Sequence, residues 1–282
     1  MHIVIITGMS GSGKTAALNT LEDLDYYCID NLPPELLPQL LQTIQTQQKL
    51  AIGIDIRSGK ANIPRIPALL QTIKQQQPHT HIIYCYANET IIKKRYSETR
   101  RKHPLINGTM SLDEAISEES HLLDSISQMA DLRIDTSRLD IYQLAHLLQS
   151  RVCQTQPQSL SLMFQSFGFK HFAPTDSDYL FDVRCLPNPY WEHELRQFTG
   201  QDEKIQTWLA QHEEVQAMFL SISQFLEQWL PVFTRNQKPY MTVSIGCTGG
   251  KHRSVYLAEK LANHFRLSYP NTLIHHRELN KD

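Results

Sequence analysis

A glycine-rich segment near the start of the chain restricts the fold more than any other stretch. An apolar run, residues 2–7, leads into the loop Gly8–Thr15, and a helix-forming stretch follows at once. The spacing G-x-x-x-x-G-K-[ST] between a strand and a helix is typical of a phosphate-binding P-loop. The glycines allow a tight turn in which successive backbone N–H groups point inward at a phosphate. The segment therefore predicts an α/β domain that binds a nucleotide.

Two side chains of this loop have distinct expected roles. Lys14 would reach the β- and γ-phosphates, and the Thr15 hydroxyl would bind Mg²⁺. The N-terminus of the following helix adds a partial positive charge. The predicted nucleotide-binding residues of the loop are Gly8, Met9, Ser10, Gly11, Ser12, Gly13, Lys14 and Thr15.

Length and composition fit a soluble chain with two domains. The 282 residues suffice for two domains of ordinary size, and a net charge of −2 indicates no global field that would attract nucleic acid or membranes. The five cysteines are widely spaced, so neither a zinc site nor a disulfide framework is predicted. No stretch approaches the roughly 20 apolar residues of a membrane span. We therefore expect a cytoplasmic protein without a membrane partner.

Short apolar runs alternate with helical patterns from the start of the chain to about residue 150. Alternation of this kind predicts a parallel sheet with helices on both faces. A polar, proline-containing stretch then separates a second strand–loop–helix region. We predict an α/β protein: a P-loop kinase-like parallel-sheet domain at 1–152, a linker at 153–160, and a second α/β domain with a phosphate-binding loop at 161–282.

Polar residues after the second and third predicted strands should lie on the same rim as the P-loop, because ligands of such sheets bind at the carboxyl ends of the strands. Asp55 is the candidate second Mg²⁺ ligand and, with Lys14, the candidate catalytic residue of nucleotide hydrolysis. Asp30 fits a contact to a phosphoryl acceptor and an Asx-turn equally well. The basic residues Arg95 and Arg100–Lys102 fit a lid over the phosphates or, more commonly, a solvated helix face.

The second strand–loop–helix junction, residues 246–254, is also rich in glycine and cations. Cys247 and Arg253 have the C-x5-R spacing of a cysteine-dependent phosphatase, in which a thiolate attacks phosphorus. A second interpretation is a loop that binds an anion without turning it over. Gly249 and Gly250 would allow successive backbone N–H groups to surround the anion, and the three following cationic residues would supply charge. A purely structural turn is least favoured, because the helix dipole opposes cations at a helix start. We favour anion binding, and catalysis after it.

Several segments, taken together, resemble the RapZ/YvcJ family of bacterial P-loop nucleotide-binding proteins. The resemblance extends over nearly the whole chain, and its longest and most specific segment is the second loop. The segments that carry it are Gly8–Thr15, Asp30–Pro33, Asp55–Ser58, Ser166–His171, Phe181–Arg184, Leu186–Pro189 and Gly246–Val255.

The resemblance implies a site for ATP or GTP with slow hydrolysis, so that the chain is at most a weak ATPase or GTPase. It also implies a carboxyl-terminal domain that senses a phosphorylated sugar, glucosamine-6-phosphate. RNase adapters of the family bind small RNAs, present them to an endoribonuclease to control amino-sugar synthesis, and form homotetramers. The matched second nucleotide-binding segment is Asp55, Ile56, Arg57 and Ser58. The expected sugar-phosphate contacts are Cys247, Thr248, Gly249, Gly250, His252 and Arg253, with Lys170, Arg184 and His193 as neighbours.

Two departures from the family pattern bear on function. The carboxyl-terminal tail, Ile274–Asp282, is shorter than the strongly basic tail of the RNase adapters and carries acids. Because phosphate contacts supply most non-specific RNA affinity, this tail should bind RNA more weakly. Phe172 occupies a position where the family usually has glycine, and it would narrow a pocket lined by Lys170 and His171.

Two enzyme hypotheses compete with a regulator that binds two ligands. One is a small-molecule kinase in which Asp30 or a lid arginine contacts the acceptor. The other is a phosphatase that uses Cys247 as its nucleophile. The presence of two phosphate-binding loops in one chain favours the regulator, with a nucleotide at the first loop and a phosphorylated metabolite at the second.

Overall fold

The computed structural model describes residues 1–44, 47–58, 62–106, 109–153, 160–236 and 238–279. The chain divides into two units, Met1–Cys153 and Gln154–Asp282. Each unit contains its own parallel sheet and helices, which confirms the predicted α/β fold class. The predicted linker, 153–160, lies outside the described residues except at its two ends.

Strands and helices alternate through the amino-terminal unit as β1 His2–Gly8, α1 Lys14–Asp23, β2 Tyr27–Ile29, α2 Leu37–Thr43, β3 Lys49–Gly53, α3 Ile66–Gln76, β4 Thr80–Tyr86, α4 Glu89–Thr99, α5 Leu112–Met129, β5 Leu132–Asp135 and α6 Ile141–Leu148. The five strands are parallel and lie in the order β2-β3-β1-β4-β5. In the centre, Ile5 of β1 pairs with Ile52 of β3 and Ile82 of β4, and all three side chains are fully buried. The strand that leads into the glycine-rich loop is therefore supported on both sides.

Strand β3 ends earlier than the apolar run at 50–56 indicates. Pairing stops at Gly53, and a 3-10 turn spans Ile56–Ser58. The Asp55 side chain favours the turn, because its Oδ1 accepts the N–H of Arg57 at 2.8 Å. The chain thereby leaves the sheet at its carboxyl edge, next to the glycine-rich loop.

The carboxyl-terminal unit consists of β6 Ser161–Gly168, β7 Tyr179–Asp182, α7 Glu203–Ala210, α8 Glu213–Arg235, β8 Tyr240–Cys247, α9 Arg253–Phe265 and β9 Thr272–His276. Its four strands are parallel in the order β7-β8-β6-β9. Every residue of β6 and β8 is buried, and their last residues, Gly168 and Cys247, pair with each other. The loops after these two central strands therefore start side by side.

Helix α8 runs to Arg235 with Pro231 inside it. A proline removes one helical hydrogen bond, but Leu230 is fully buried and Phe233 packs against the same core, which offsets the loss. Among the described residues no helix, α8 included, is long and apolar enough to cross a membrane.

Two histidines at the amino-terminal edge of the first sheet are held in the neutral form. The Nδ1 atom of His2 lies 2.7 Å from the Tyr26 hydroxyl, and the rings of His2 and His81 are 5.0 Å apart. Burial, reinforced by His81 and His79, lowers the pKa of His2 from 6.5 to about 4. Burial and the charge of Lys74 lower the pKa of His81 to about 4. Protonation of either ring is therefore unfavourable in the folded state.

We expect the free energy of unfolding of this unit to fall as the pH drops from 7 to 5. Below pH 6.5 the unfolded chain binds protons at both histidines, whereas the folded protein binds them only near pH 4. The difference lowers stability by about 1–2 kcal/mol for each histidine at pH 5. Urea unfolding at the two pH values measures it, and the His2→Gln/His81→Gln variant should lose most of the difference. An equal loss in both proteins would contradict the assignment to these rings.

Candidate functional site

The glycine-rich loop connects β1 to α1 and passes close to the end of β4. Gly8 has a φ of +130°, and a Cβ atom there would lie 1.9 Å from the Cys85 carbonyl oxygen. The N–H of Met9 donates to that same oxygen at 3.1 Å. Only glycine fits this close approach of two backbones, so the first glycine of the pattern fixes where the loop leaves the sheet.

Lys14 folds back over the loop that precedes it. Its side chain is 8% exposed, and Nζ donates to the carbonyl oxygens of Gly8 at 2.9 Å and Met9 at 3.0 Å. Helix α1 begins at Lys14, so its first-turn amides have no intrahelical partners. A phosphate at this helix start would meet a largely buried ammonium group and backbone N–H donors together.

Two side chains from later elements hold the other half of the loop. Arg95 of α4 donates from Nη1 to the Gly11 carbonyl at 2.9 Å and to the Thr136 hydroxyl at 3.0 Å. The Thr136 hydroxyl donates in turn to the Ser12 carbonyl at 2.8 Å. Arg95 is therefore held on the loop and not on a solvated helix face, whereas Arg100, Arg101 and Lys102 are exposed as a solvated face requires.

Asp55 and Arg57 form a close ion pair on the rim. The Arg57 guanidinium donates to both Asp55 oxygens, at 3.1 and 2.8 Å from Nε and 2.7 Å from Nη2. Lys14 Nζ lies 3.8 Å from Asp55 Oδ2, and Arg57 Nη2 lies 3.7 Å from Asp30 Oδ2. Burial raises the pKa of Asp55, but the Arg57 hydrogen bonds and the Lys14 charge outweigh it, so the pKa lies below its ordinary value. Asp55 is a carboxylate at neutral pH.

The residues proposed to hold Mg²⁺ fit the ion in part. Thr15 is exposed at the start of α1, where its hydroxyl is accessible. Asp55 is only 4% exposed and already bonds Arg57, so it can ligate a metal only if that guanidinium moves away. Ile56 is buried, and the side chain of Ser58 lies outside what the structure describes.

A cavity of about 490 Å³ opens beside the glycine-rich loop. Arg95 and Thr136, which also bond the loop, line it, and so does Tyr142 at the start of α6, which is 86% exposed. The full set of lining residues is Gly11, Gly13, Ala16, Arg95, Thr136, Leu139, Asp140, Ile141, Tyr142 and Leu144. The lining thus combines glycine backbone, a cationic side chain and apolar groups, a mixture found in small-molecule sites.

The second loop follows β8 and begins at a buried thiol. Cys247 is 3% exposed, and its sulfur accepts the Gly250 N–H at 3.2 Å and lies 3.1 Å from the Ser254 hydroxyl oxygen. Gly250 has a φ of +73°, so the loop turns sharply between the thiol and α9. Thr248 is exposed and Gly249 half-buried, which leaves this part of the loop open to a ligand.

Arg253, the last residue of the C-x5-R spacing, is 4% exposed. Its Nη1 donates to the carbonyl oxygens of Arg184 and Leu186, both at 2.8 Å, and Nη2 donates to the Thr248 hydroxyl at 3.3 Å. The guanidinium therefore ties the loop to the segment after β7. A phosphate at Thr248 would still lie near this positive charge.

The neighbours expected around this loop are placed unequally. The Lys170 N–H donates to the Thr248 carbonyl at 3.2 Å, and Lys170 Nζ lies 3.9 Å from where a Cβ on Gly249 would be. The Arg184 guanidinium bonds Asp182, with the Arg184 Nη2–Asp182 Oδ2 pair at 2.7 Å. Among the described residues, neither the Arg184 side chain nor exposed His193 hydrogen-bonds the loop. Lys170 is thus the best-placed neighbour.

His252 does not supply the positive charge that the sequence suggests. Its Nε2 lies 2.7 Å from the Phe198 carbonyl oxygen, and the residue is 8% exposed. Burial is the main cause that lowers the pKa of His252, and it outweighs the hydrogen bond to Phe198. The ring is therefore neutral at pH 7, and Lys251 and Arg253 carry the charge of this loop.

Both units match known family descriptions. Residues 1–156 match the RapZ-like N-terminal domain, and residues 160–280 match the RapZ C-terminal domain. The chain belongs to the RapZ-like family. Relatives of this RapZ-like chain include a nucleotide-binding protein of Thioalkalivibrio sulfidiphilus, 48% identical over 99% of this chain and 100% of that protein. Nucleotide-binding proteins of Hahella chejuensis and Aeromonas hydrophila are 48% and 47% identical over 99% and 100% of this chain, and over 99% and 98% of their own lengths.

Solved structures that resemble part of this RapZ-like chain include two kinases. A sugar kinase of Janibacter sp. covers 53% of this chain and 93% of its own, with 13% identity and a TM-score of 0.39. A shikimate kinase of Bacteroides thetaiotaomicron covers 52% and 96%, with 15% identity and a TM-score of 0.38.

Sequence reasoning missed two buried acids in this RapZ-like chain. Glu119 lies on the core-facing side of α5, between buried Ile116 and Leu123, where an acid is unexpected, and its oxygens bond Ser10 of the glycine-rich loop. Glu278 is 4% exposed and packs so closely on the second loop that a Cβ on Gly250 would lie 2.5 Å from Glu278 Cγ. The sequence signal for a buried Glu119 was an acid at a helical position where the pattern requires an apolar residue. No sequence signal indicated that Glu278 is buried.

The first part of the carboxyl-terminal tail packs on its own domain, and Phe172 differs from expectation. The tail starts as β9, and its buried Glu278 lies 3.5 Å from His171 Nε2, so this part is fixed on the domain; residues 280–282 lie outside the described residues. Phe172 has a φ of +70° and is 81% exposed. Its ring therefore faces solvent and does not narrow a pocket at Lys170.

Proposed function

We propose that this chain is a regulator with two ligands, a nucleotide at the glycine-rich loop and a phosphorylated metabolite at the second loop. The observation that carries the proposal is that each unit places a glycine-rich loop at the end of a central strand, directly before a helix start. Backbone donors and a cationic side chain converge in both loops, which is the arrangement that binds phosphate groups.

The amino-terminal unit would bind ATP or GTP. Lys14 and the first-turn amides of α1 would hold the phosphates, and the 490 Å³ cavity lies on the side where Arg95 and Tyr142 would contact the base. Mg²⁺, bound by Thr15 and Asp55, would neutralise charge on the phosphate oxygens. Arg57 must first leave Asp55, whose two oxygens it occupies. This competition is a physical reason for hydrolysis to be slow.

The carboxyl-terminal unit would bind a sugar phosphate, with glucosamine-6-phosphate as the candidate from the family resemblance. Thr248, Gly249 and Lys170 form the accessible part of the loop, and Arg253 supplies charge from beneath it. Binding without turnover is favoured over phosphatase chemistry, because the Arg253 guanidinium is already used on the carbonyls of Arg184 and Leu186.

The output of such a regulator would be an RNase adapter role: a small RNA presented to an endoribonuclease, within a cytoplasmic homo-oligomer, tetrameric by resemblance. Part of the tail is packed on the second loop through Glu278. Because the tail Ile274–Asp282 carries few cations, RNA affinity should depend on other basic surfaces of the protein and fall steeply with salt.

A small-molecule kinase remains the second candidate, and one observation favours it. The Asp30 carboxylate is 44% exposed and lies 3.7 Å from Arg57, on the same rim as Lys14 and Asp55. A carboxylate in this place could receive the proton of an acceptor hydroxyl. With γ-labelled ATP, transfer of label to an acceptor would support the kinase, and label found only in inorganic phosphate would argue against it.

The decisive measurement is a stabilisation screen of the full chain against nucleotides and sugar phosphates. A ligand that binds the folded state raises its stability by RT ln(1 + [L]/Kd), about 2.7 kcal/mol at 100 Kd. Stabilisation by ATP or GTP and, separately, by a sugar phosphate is the expected result. Absence of stabilisation by every nucleotide would contradict the nucleotide site.

We expect Cys247→Ser to keep sugar-phosphate affinity within about threefold of wild type, a free-energy change well under 1.4 kcal/mol. The serine oxygen can still accept the Gly250 N–H, and the ligand contacts lie elsewhere on the loop. Isothermal titration with wild type and variant measures it. Phosphate release from the sugar phosphate by wild type, abolished in the variant, would instead establish the phosphatase.

A further inference from the structure

Glu119 is a fully buried carboxylate bonded to the glycine-rich loop. It lies on α5, and its side chain, like that of His103, is 0% exposed. The Ser10 N–H donates to its two oxygens at 3.0 and 2.9 Å, and the Ser10 hydroxyl donates to Oε1 at 2.7 Å. His103 Nε2 lies 3.0 Å from Oε2. A buried carboxylate is tolerated here because these donors surround it.

The hydrogen bonds of His103 define its tautomer. Its Nδ1 accepts the N–H of Leu105 at 3.2 Å, so Nε2 carries the proton and donates to Glu119. Tyr96 packs against His103 with ring centroids 5.3 Å apart. Burial and then the Glu119 charge raise the pKa of Tyr96 to about 12. Glu119 therefore accepts hydrogen bonds from three donors.

The peptide group between Met9 and Ser10 is held from both ends. Its carbonyl oxygen accepts the Lys14 ammonium at 3.0 Å, and its N–H donates to Glu119. The carbonyl and the N–H of one peptide group point in opposite directions. An anion on one side and a cation on the other therefore fix its orientation, and with it the place where Lys14 is anchored.

We propose that Glu119 is a positioning residue of the nucleotide site. It holds the Met9–Ser10 peptide so that Lys14 and the amides that follow Ser10 face the phosphates. The inference rests on the proposed nucleotide site and goes beyond it, because Glu119 would act without touching the ligand. His103 contributes by supplying the remaining donor to the carboxylate.

The test is nucleotide affinity of the Glu119→Gln variant. The amide NH₂ of glutamine would face a donor, either the Ser10 N–H or His103 Nε2–H, so the loop would lose its fixed orientation. We expect the Kd for a fluorescent ATP or GTP analogue to rise about tenfold, measured well below the melting temperature. The matched control is Ile126→Ala on the same helix, fully buried and two turns away, which should lower the melting temperature and leave the Kd unchanged.

The outcomes separate this inference from the proposed function. A wild-type protein that binds no nucleotide would contradict both. A wild-type protein that binds, with the same Kd in Glu119→Gln, would overturn only the positioning role. If Glu119→Gln does not fold, His103→Leu and His103→Gln decide: leucine removes the donor to Glu119 and should weaken binding, whereas glutamine keeps a donor and should restore it. Equal affinity in these two variants would also overturn the inference.

Discussion

Lys14→Met is expected to lower the affinity of this chain for ATP or GTP by roughly 100-fold, about 2.7 kcal/mol. Lys14 is largely buried, so its charge-assisted hydrogen bonds to phosphate would be weakly screened by solvent. Methionine keeps the length of the side chain and removes the charge. Asp55 would still be paired with Arg57, so the substitution should not leave a buried carboxylate alone.

Titration with a fluorescent nucleotide analogue measures the loss, and a second lysine provides a control. Lys74 also forms an ion pair, at 2.6 Å from Asp131, but it lies on α3, away from the glycine-rich loop. Lys74→Met should therefore reduce stability without changing nucleotide affinity. Unchanged affinity in Lys14→Met would place the nucleotide elsewhere on the chain.

Gly250→Ala should be the most damaging single methyl group that can be added to the second loop. With a φ of +73°, an alanine there costs about 1–2 kcal/mol. Its Cβ would also lie 2.6 Å from the Gly168 nitrogen and 2.9 Å from the Phe167 carbonyl carbon. Because these are backbone atoms of a central strand, they cannot move aside. We expect a total loss on the order of 4 kcal/mol, or roughly 15 °C in the melting temperature of this unit.

Gly249→Ala is the matched control one position earlier. A Cβ on Gly249 would meet only Lys170, at 3.9 Å, which is ordinary van der Waals contact. Its melting temperature should stay within about 2 °C of wild type, because surface substitutions usually change stability by less than about 0.5 kcal/mol. Calorimetry of both variants tests the contrast, and similar melting temperatures would contradict the described conformation of the loop.

The glycine-rich loop could be predicted from the sequence because all its defining residues are consecutive. The side chains that hold it could not. Arg95, Glu119 and Thr136 reach the loop from 84, 109 and 124 positions away along the chain, and none belongs to a recognisable spacing. Strand–helix alternation likewise predicts parallel strands but not the order in which they lie.

The rim and the second loop show the same limit at individual residues. The strand-end rule correctly indicated that Asp55 lies near Lys14, but a sequence does not show that Arg57 folds back onto Asp55 instead of facing solvent. The C-x5-R spacing assigned Arg253 to an anion. The structure adds that its guanidinium bonds carbonyls 69 and 67 positions earlier, a contact that depends on tertiary packing.

The hydrogen bonds that the backbone carbonyl oxygens of the glycine-rich loop accept have a consequence for the entropy of ligand binding. Four of its carbonyl oxygens, those of Gly8, Met9, Gly11 and Ser12, are already bonded to side chains of the protein. A loop held in this way is preorganised: little conformational freedom remains for a ligand to remove, so more of the contact energy with phosphate becomes affinity. Phosphate binding at this loop should therefore cost little conformational entropy.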